Sequence, residues 1–200
     1  MSHFSDRLFK IFTREMPRSG SLLIARPFLE DSNFTRSVVL MVDCDAEGGE
    51  ALGVILNRLL DLGINDALKE VDLPGNPPLN LGGPVGHDRL VLVHTLGDDI
   101  IPDSIAVGEG LWVGGDFEAV KDYIRGGGET EGCIKFTVGY AGWSEGQLRK
   151  ELDEGTWAVG HLPVEDLMLA DGPEMWKKAV GALDARYELW KRLPLKAGLN

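Results

Sequence analysis

The five residues Val38, Val39, Leu40, Met41 and Val42 are apolar without a break. Successive side chains of a strand point to opposite faces of a sheet, so a strand of this kind needs cover on both sides. The turn-rich DAEGGE (residues 45–50) then leads into a second apolar run, ALGVILN (residues 51–57). The two read as paired strands at the centre of a sheet with material above and below. A chain of 200 residues can build one such well-buried core and is too short for two ordinary domains, each with its own active site. Its 26 glycines imply many tight turns between short strands.

Further strands are expected at SLLIARP (21–27), RLVLVHTL (89–96), GCIKFTVGY (132–140) and TWAVGHL (156–162), with a hairpin at SIAVGEGLWVGG (104–115). Short helices are expected at INDALKEV (64–71), capped by Asn65 or Asp66, and at EGQLRKEL (145–152). A third, DFEAVKDYIRGGG (116–128), has Asp116 at its start and glycine at its stop. Two terminal helices frame the chain. Residues 1–16 place Phe4, Leu8, Ile11 and Phe12 on one side, with Arg7, Lys10 and Arg14 towards the other. Residues 173–193 follow a start signal at Asp171-Gly172-Pro173-Glu174, read as a cap, a first-turn proline and a glutamate reaching back. Along this second helix Trp176, Val180, Leu183, Tyr187 and Trp190 form one apolar stripe. That stripe reads as core or as dimer contact, and a homodimer through the terminal helices is an arrangement the pattern allows. The whole is an α+β chain forming a single domain.

Formal charge is −12 and unevenly spread, with +2 on residues 1–18 and +4 on residues 175–200, which leaves −18 on residues 19–174. A body this acidic repels phosphate, so direct nucleic-acid binding is disfavoured, and a basic or protein partner is easier to accommodate. No stretch approaches the roughly 20 apolar residues of a membrane span. The first 20 residues also lack an apolar segment followed by a small-residue cleavage site, and a cytoplasmic protein is expected. Cys44 and Cys133 stand alone in apolar segments and read as buried reduced thiols.

Motifs that could carry chemistry are incomplete. Gly142-Trp143-Ser144-Glu145-Gly146 fits the G-x-S-x-G pattern of a nucleophile elbow, and it lies between an expected strand and an expected helix. Only His161 lies downstream, in a segment too short for the strand–helix units that normally deliver an acid and a histidine. A hydrolase using Ser144 and His161, with Asp153 or Asp166 as the acid, is therefore the alternative reading. The simpler one makes Ser144 and Gln147 a capping box for the following helix. Asp43, Asp45, Glu47 and Gly48 match the start of a calcium loop, but the twelfth position is Val54 where a bidentate glutamate is needed, so a charged hairpin turn is expected. His3, His87, His94 and His161 show no metal-ligand spacing, and the glycine-rich LGGPVG and GGGETEG lack a P-loop lysine. No metal and no cofactor are expected.

What remains is a set of polar residues beside special backbone: Asp31, Arg36, Ser37, Asn57, Arg89, His94, Tyr140, Trp143 and Gln147, with Gly82, Gly83, Gly139 and Gly142 permitting close backbone approach. The bland account makes them caps, turn bonds and ion pairs. The functional account lines one binding cleft with them.

At these residues the chain resembles the YqgE/AlgH family of bacterial proteins. LLIARPFLEDSNFTRSVVLMVD, LGVILNR, LGGPVGHDRLVLVHT and VGYAGWSEGQLRKEL occur in that family's order and approximate spacing, over roughly residues 20–165. The resemblance implies a mixed, mostly antiparallel sheet bent into a partly closed barrel-like body flanked by helices. It also implies a cytosolic protein with no biochemical activity attached to the family, although some members carry the label of transcriptional regulator. The family pattern around Trp143 has no fixed serine, which favours Ser144 as a cap. Two departures stand out: Leu59 follows Asn57-Arg58 where the family commonly has proline, and the tail containing Trp176, Trp190 and PLKAGLN differs from the shorter enterobacterial ending. The resulting expectation is a non-enzymatic binding or regulatory module that engages a protein or a small-molecule ligand through the cleft beside GYAGW.

Overall fold

A computed structural model describes residues 16–45 and 48–193. The organising element is the ten-residue strand β9, Ile134–Trp143. One of its edges carries β6 (Val85–His94) in antiparallel pairing. The other edge is shared. Phe136–Val138 pair in parallel with β5 (Pro78–Leu81), and Ala141–Trp143 pair antiparallel with β3 (Ala51–Ile55). The fork lies at Gly139, whose φ of +76° is cheap only for glycine, and a Cβ there would fall 2.8 Å from the carbonyl oxygens of both Gly83 and Val85.

From β3 the sheet continues through β2 (Val38–Cys44) and β1 (Leu22–Ala25) to β10 (Trp157–Gly160). Beyond β6 it continues through β8 (Leu111–Gly114) to β7 (Ser104–Gly108), while β4 (Leu59–Gly63) pairs with β5. All of these pairings except β5 with β9 are antiparallel. The sheet curls towards itself, and residues 19–20 bridge the seam. The Ser19 hydroxyl donates to Val42 O at 2.9 Å, and Gly20 passes so near β7 that a Cβ would sit 2.1 Å from Val107 O. The result is the expected partly closed barrel with flanking helices.

The uninterrupted β2 run is covered on both faces, as its composition requires. Val38 and Leu40 join one core cluster with Leu22, Ile24 and Trp176, while Val39 and Met41 join another with Trp143, Leu148 and Trp157. A third cluster lies under the β5, β6 and β9 segment and is covered by α1 (Ile64–Ala67) and α2 (Phe117–Arg125). Asp116 caps α2 as expected, its carboxylate accepting from Glu118 N at 2.9 Å. No helix among the described residues is long and apolar enough to cross a membrane.

The structure departs from the sequence expectations in several places. Strands β4 and β5 had no strand signal: β4 is short and largely exposed, and β5 begins at a proline. The N-cap of α1 is Gly63, and Asp66 serves it from inside the helix, accepting from Gly63 N at 2.9 Å. The helix expected over 173–193 is two pieces, α5 (Gly172–Gly181) and a 3₁₀ helix (Ala185–Arg192), because Asp184 starts the second piece by capping Arg186 N at 2.9 Å. Asp171 does not cap α5, since its carboxylate is taken by Lys135, and Glu174 pairs with Lys177 instead of reaching back. The stripe Trp176, Val180, Tyr187 and Trp190 is buried in this chain's own core. Cys44 and Cys133 are free and half-buried, and burial beside Asp43 and Asp45 raises the Cys44 pKa. The helix expected over 1–16 lies, but for Met16, outside the described residues, as do Glu47 and the tail from residue 194.

Candidate functional site

At the end of β9 the chain turns through Ser144–Gly146 into α3 (Gln147–Asp153), which starts from Gly146 at φ 74°. Leu148 and Leu152 anchor α3 in the core, and the neighbouring helical face brings Gln147 and Glu151 against the strands. Glu151 organises the corner. Its Oε2 accepts the indole N–H of Trp143 at 2.9 Å and of Trp157 at 2.7 Å, and its Oε1 accepts Gln147 Nε2 at 2.9 Å. One carboxylate thus orients two tryptophans from different strands. Their rings meet edge-on at 6.1 Å, and Phe34 lies 5.4 Å from Trp157 and 6.3 Å from Trp143.

Phe34 is delivered by the loop of residues 27–36, which holds its shape through local bonds. Asp31 Oδ1 accepts from Asn33 N at 2.8 Å, Thr35 Oγ1 donates to Leu29 O at 3.2 Å and Asp31 O at 3.1 Å, and Arg58 donates to Ser32 O at 2.6 Å. Phe28 and Arg36 bracket the loop with φ of 58° and 51°. Between loop, β9 and α3 lies a cavity of about 400 Å³ lined by Leu29, Asp31, Phe34, Pro84, Gly142, Trp143, Gln147, Glu151, Glu154, Thr156 and Trp157. A second cavity of about 400 Å³ is lined by Asp43, Glu50, Ala51, Leu52, Tyr140, Gly142, Trp143 and Ser144. Among the described residues five carboxylates line the two, and no lysine or arginine does.

The residues expected to share one cleft separate into several places. Asp31, Trp143 and Gln147 meet in the first cavity, and Tyr140 lines the second. Arg36, Ser37 and Asn57 form a buried joint elsewhere. Asn57 accepts Val38 N at 2.8 Å and donates to Arg36 O at 2.9 Å and Gly172 O at 3.0 Å. The Arg36 guanidinium lies 4.7 Å over the Trp176 ring, donates to Leu193 O, and has its pKa lowered by burial. Ser37 Oγ donates to Phe34 O at 3.0 Å. Gly82 and Gly83 permit a close approach of chain to chain: a Cβ on Gly82 would lie 2.3 Å from Gly139 O, and one on Gly83 would lie 2.1 Å from the Tyr140 carbonyl carbon. Arg89 is exposed on β6. His94 is fully buried with neither ring nitrogen partnered among the described residues; it stacks on Trp112 at 6.5 Å, and burial lowers its pKa, with the Gly114 backbone opposing.

The capping box at Ser144 is half made. Gln147 Oε1 accepts the Ser144 N–H at 3.1 Å, but it is the Ser144 carbonyl, not the hydroxyl, that accepts Gln147 N, at 2.9 Å. The hydroxyl donates to Gln147 Oε1 at 3.2 Å. Ser144 and His161 line different cavities, and no hydrogen bond joins them among the described residues. Asp166 is paired with Lys178, and Asp153 lies 4.0 Å from Arg149. No group of three or more His, Cys, Asp and Glu among the described residues could hold a metal ion.

Sequence reasoning missed Phe34, Glu151, Glu154 and Trp157. The spacing Trp143, Gln147, Glu151, in steps of four, was a signal for the first contact across the helix start. Nothing local could pair Trp157 with the same carboxylate.

A family profile described as AlgH-like matches residues 22–188. The UPF0301 protein of Parabacteroides distasonis is 42% identical over 194 residues, covering 96% of this chain and 97% of that relative. The UPF0301 protein BF2109 of Bacteroides fragilis is 43% identical with the same coverage. Among solved structures, protein DIP2367 from Corynebacterium diphtheriae superimposes with a TM-score of 0.74 at 24% identity, covering 94% of this chain and 98% of that one. The solution structure of AlgH from Pseudomonas aeruginosa gives 0.68 at 24% identity, covering 91% and 98%. At these identities the two structures speak for the fold.

Proposed function

The chain belongs to the AlgH-like family, and on that premise we propose that it acts in the cytoplasm as a non-enzymatic binding module, a single domain whose recognition face is the corner of loop 27–36, the end of β9 and α3. The observation that carries this reading is the Trp143–Glu151–Trp157 hydrogen-bond set, which together with Phe34 forms a preorganised aromatic wall beside an open cavity. Asp31 and Glu154 sit exposed at the rim of that wall. Lys150 lies 4.0 Å from Glu154 and Arg58 lies beside Asp31, against five carboxylates lining the two cavities, and that acidic excess selects a partner that presents basic groups, on a protein or on a small molecule. The same field repels nucleic-acid phosphate. Any regulatory role would then be exerted through a bound partner and not through direct contact with DNA.

The test is a titration of ¹⁵N-labelled protein with a lysine-rich peptide and with its glutamate-rich counterpart. The basic peptide is expected to shift Phe34 and residues 142–147, more strongly at low salt, and the double variant Asp31→Asn/Glu154→Gln to weaken it several-fold. Equal response to both peptides, or shifts confined to another face, would refute the proposal.

A further inference from the structure

Asn80 is 2% exposed, and its Oδ1 has no hydrogen-bond partner among the described residues. Buried amide oxygens without a donor are rare in folded chains. Asn80 is one of the residues lining a cavity of about 360 Å³, within the size range of small-ligand sites. The cavity is eight residues along β9 from Trp143, at the opposite end of the strand from the acidic face.

The sheet explains what surrounds Asn80. In the parallel pair of β5 and β9, Asn80 stands opposite Thr137, so Pro78, Asn80, Lys135 and Thr137 share one face. The junction between α4 (Val164–Leu169) and α5 crosses that face. Lys135, itself buried, holds the junction by donating to Ala170 O at 3.1 Å and Asp171 Oδ1 at 2.7 Å. An ammonium has three protons, and the third has no partner among the described residues. Pro77, Pro78, Ile134, Met168 and Leu169 supply the apolar part of the lining.

We propose that this cavity is a second binding site, independent of the acidic aromatic face, for a small uncharged ligand that carries a planar amide-type group, a carboxamide or a lactam edge, on an apolar body. A planar amide offers an N–H and a C=O side by side. The N–H satisfies Asn80 Oδ1, and the C=O takes a proton from the Asn80 amide or the remaining one of Lys135. A half-turn of the Asn80 amide about its broad terminal torsion exchanges its two ends, so the pairing survives either orientation. Charge gives an ionised ligand no advantage beside Asn80: Lys135 and Asp171 already neutralise each other within the site, so neither an anion nor a cation finds an unpaired counter-charge there, and Glu131, exposed at the rim, acts through water. The proline faces accept a flat group, and Leu169, 60% exposed at the rim, covers the apolar body.

The test compares benzamide, benzoate and benzylamine as probes in ¹H–¹⁵N spectra of the full chain at pH 7. Benzamide is expected to produce saturable shifts within residues 78–80, 131–135 and 168–171, with an affinity at least about five-fold above that of either charged probe. Asn80→Leu keeps the branching and the number of heavy atoms of the side chain and removes the amide, and it is expected to abolish the shifts while the spectrum stays that of a folded chain. Leu169→Asp, at an exposed position, is expected to weaken binding several-fold, and Asp31→Asn, on the other face, to leave it unchanged. No saturable shift in those segments, equal or better binding of benzoate or benzylamine, or benzamide binding that survives Asn80→Leu would overturn the proposal. Should Asn80→Leu fail to fold, unchanged affinity in Leu169→Asp would overturn it.

Discussion

Replacing Glu151 with alanine tests whether one carboxylate builds the aromatic corner. In the native chain it accepts three hydrogen bonds, two of them from indole N–H groups of side chains only 4% (Trp143) and 1% (Trp157) exposed. Alanine strands both indole donors in a space where few waters can reach them, at about 1–3 kcal/mol each. The Gln147 amide, exposed, rebonds to water at little cost. The two losses share one partner and are not strictly additive, so a destabilisation of about 2–5 kcal/mol is expected. For a chain of this size each kcal/mol lowers Tm by about 2–4 °C. Glu151→Gln keeps an acceptor oxygen for the indoles but loses charge assistance and sets its NH2 against the exposed Gln147 amide, so it is expected to cost about 1–2 kcal/mol. Urea unfolding followed by tryptophan fluorescence measures both variants, and the indole N–H resonances report whether the bonds persist. If Glu151→Ala unfolds within about 0.5 kcal/mol of the wild type, a figure typical of neutral surface changes, the carboxylate does not hold the corner together.

Three further outcomes follow from the same geometry. Burial depresses the His94 pKa below its ordinary 6.5, so the unfolded chain takes up the proton first as pH falls: this group's contribution is intact above about 6.5 and is lost below it. The stability curve of His94→Leu between pH 7.5 and 5 is expected to be flatter than that of the wild type, and parallel curves would contradict the assignment. Gly139→Ala, with φ +76° and two carbonyl oxygens 2.8 Å from the new methyl, is expected to cost at least about 2 kcal/mol in chemical denaturation, whereas Gly146→Asn, at φ 74° with nothing within 4 Å, should cost under about 1 kcal/mol. Asn57→Ala removes three bonds joining β2, the Arg36 turn and the start of α5, and a loss of about 2–4 kcal/mol is expected; a change below about 1 kcal/mol would show that water replaces them.

Much of the fold was legible in local pattern. The β2 run announced a doubly covered strand, the 104–115 segment announced a hairpin, and Asp116 announced a helix start, because each depends on neighbours within a few residues. β4 and β5 were not legible: exposure on one and proline at the head of the other erase the usual apolar signal, and only tertiary pairing, with β4 on one side and β9 on the other, makes β5 a strand. Of the residues lining the two cavities, Asp31, Tyr140, Gly142, Trp143 and Gln147 were named from the sequence, while Phe34, Glu151, Glu154 and Trp157 were not, since they come from three segments that only packing brings together.

By itself the sequence determined the class of fold, the acidic character of the body and the cover required over the central strands, all of which follow from composition and short-range periodicity. Tertiary structure alone decided what the polar residues do. It made Arg36, Ser37 and Asn57 a structural joint, turned Asp171 from a helix cap into the partner of Lys135, left the Asn80 oxygen unanswered among the described residues, and gave Glu151 two indoles to hold. A hydrogen-bonding side chain takes whichever partner packing places within about 3 Å, and that partner is usually distant in the chain.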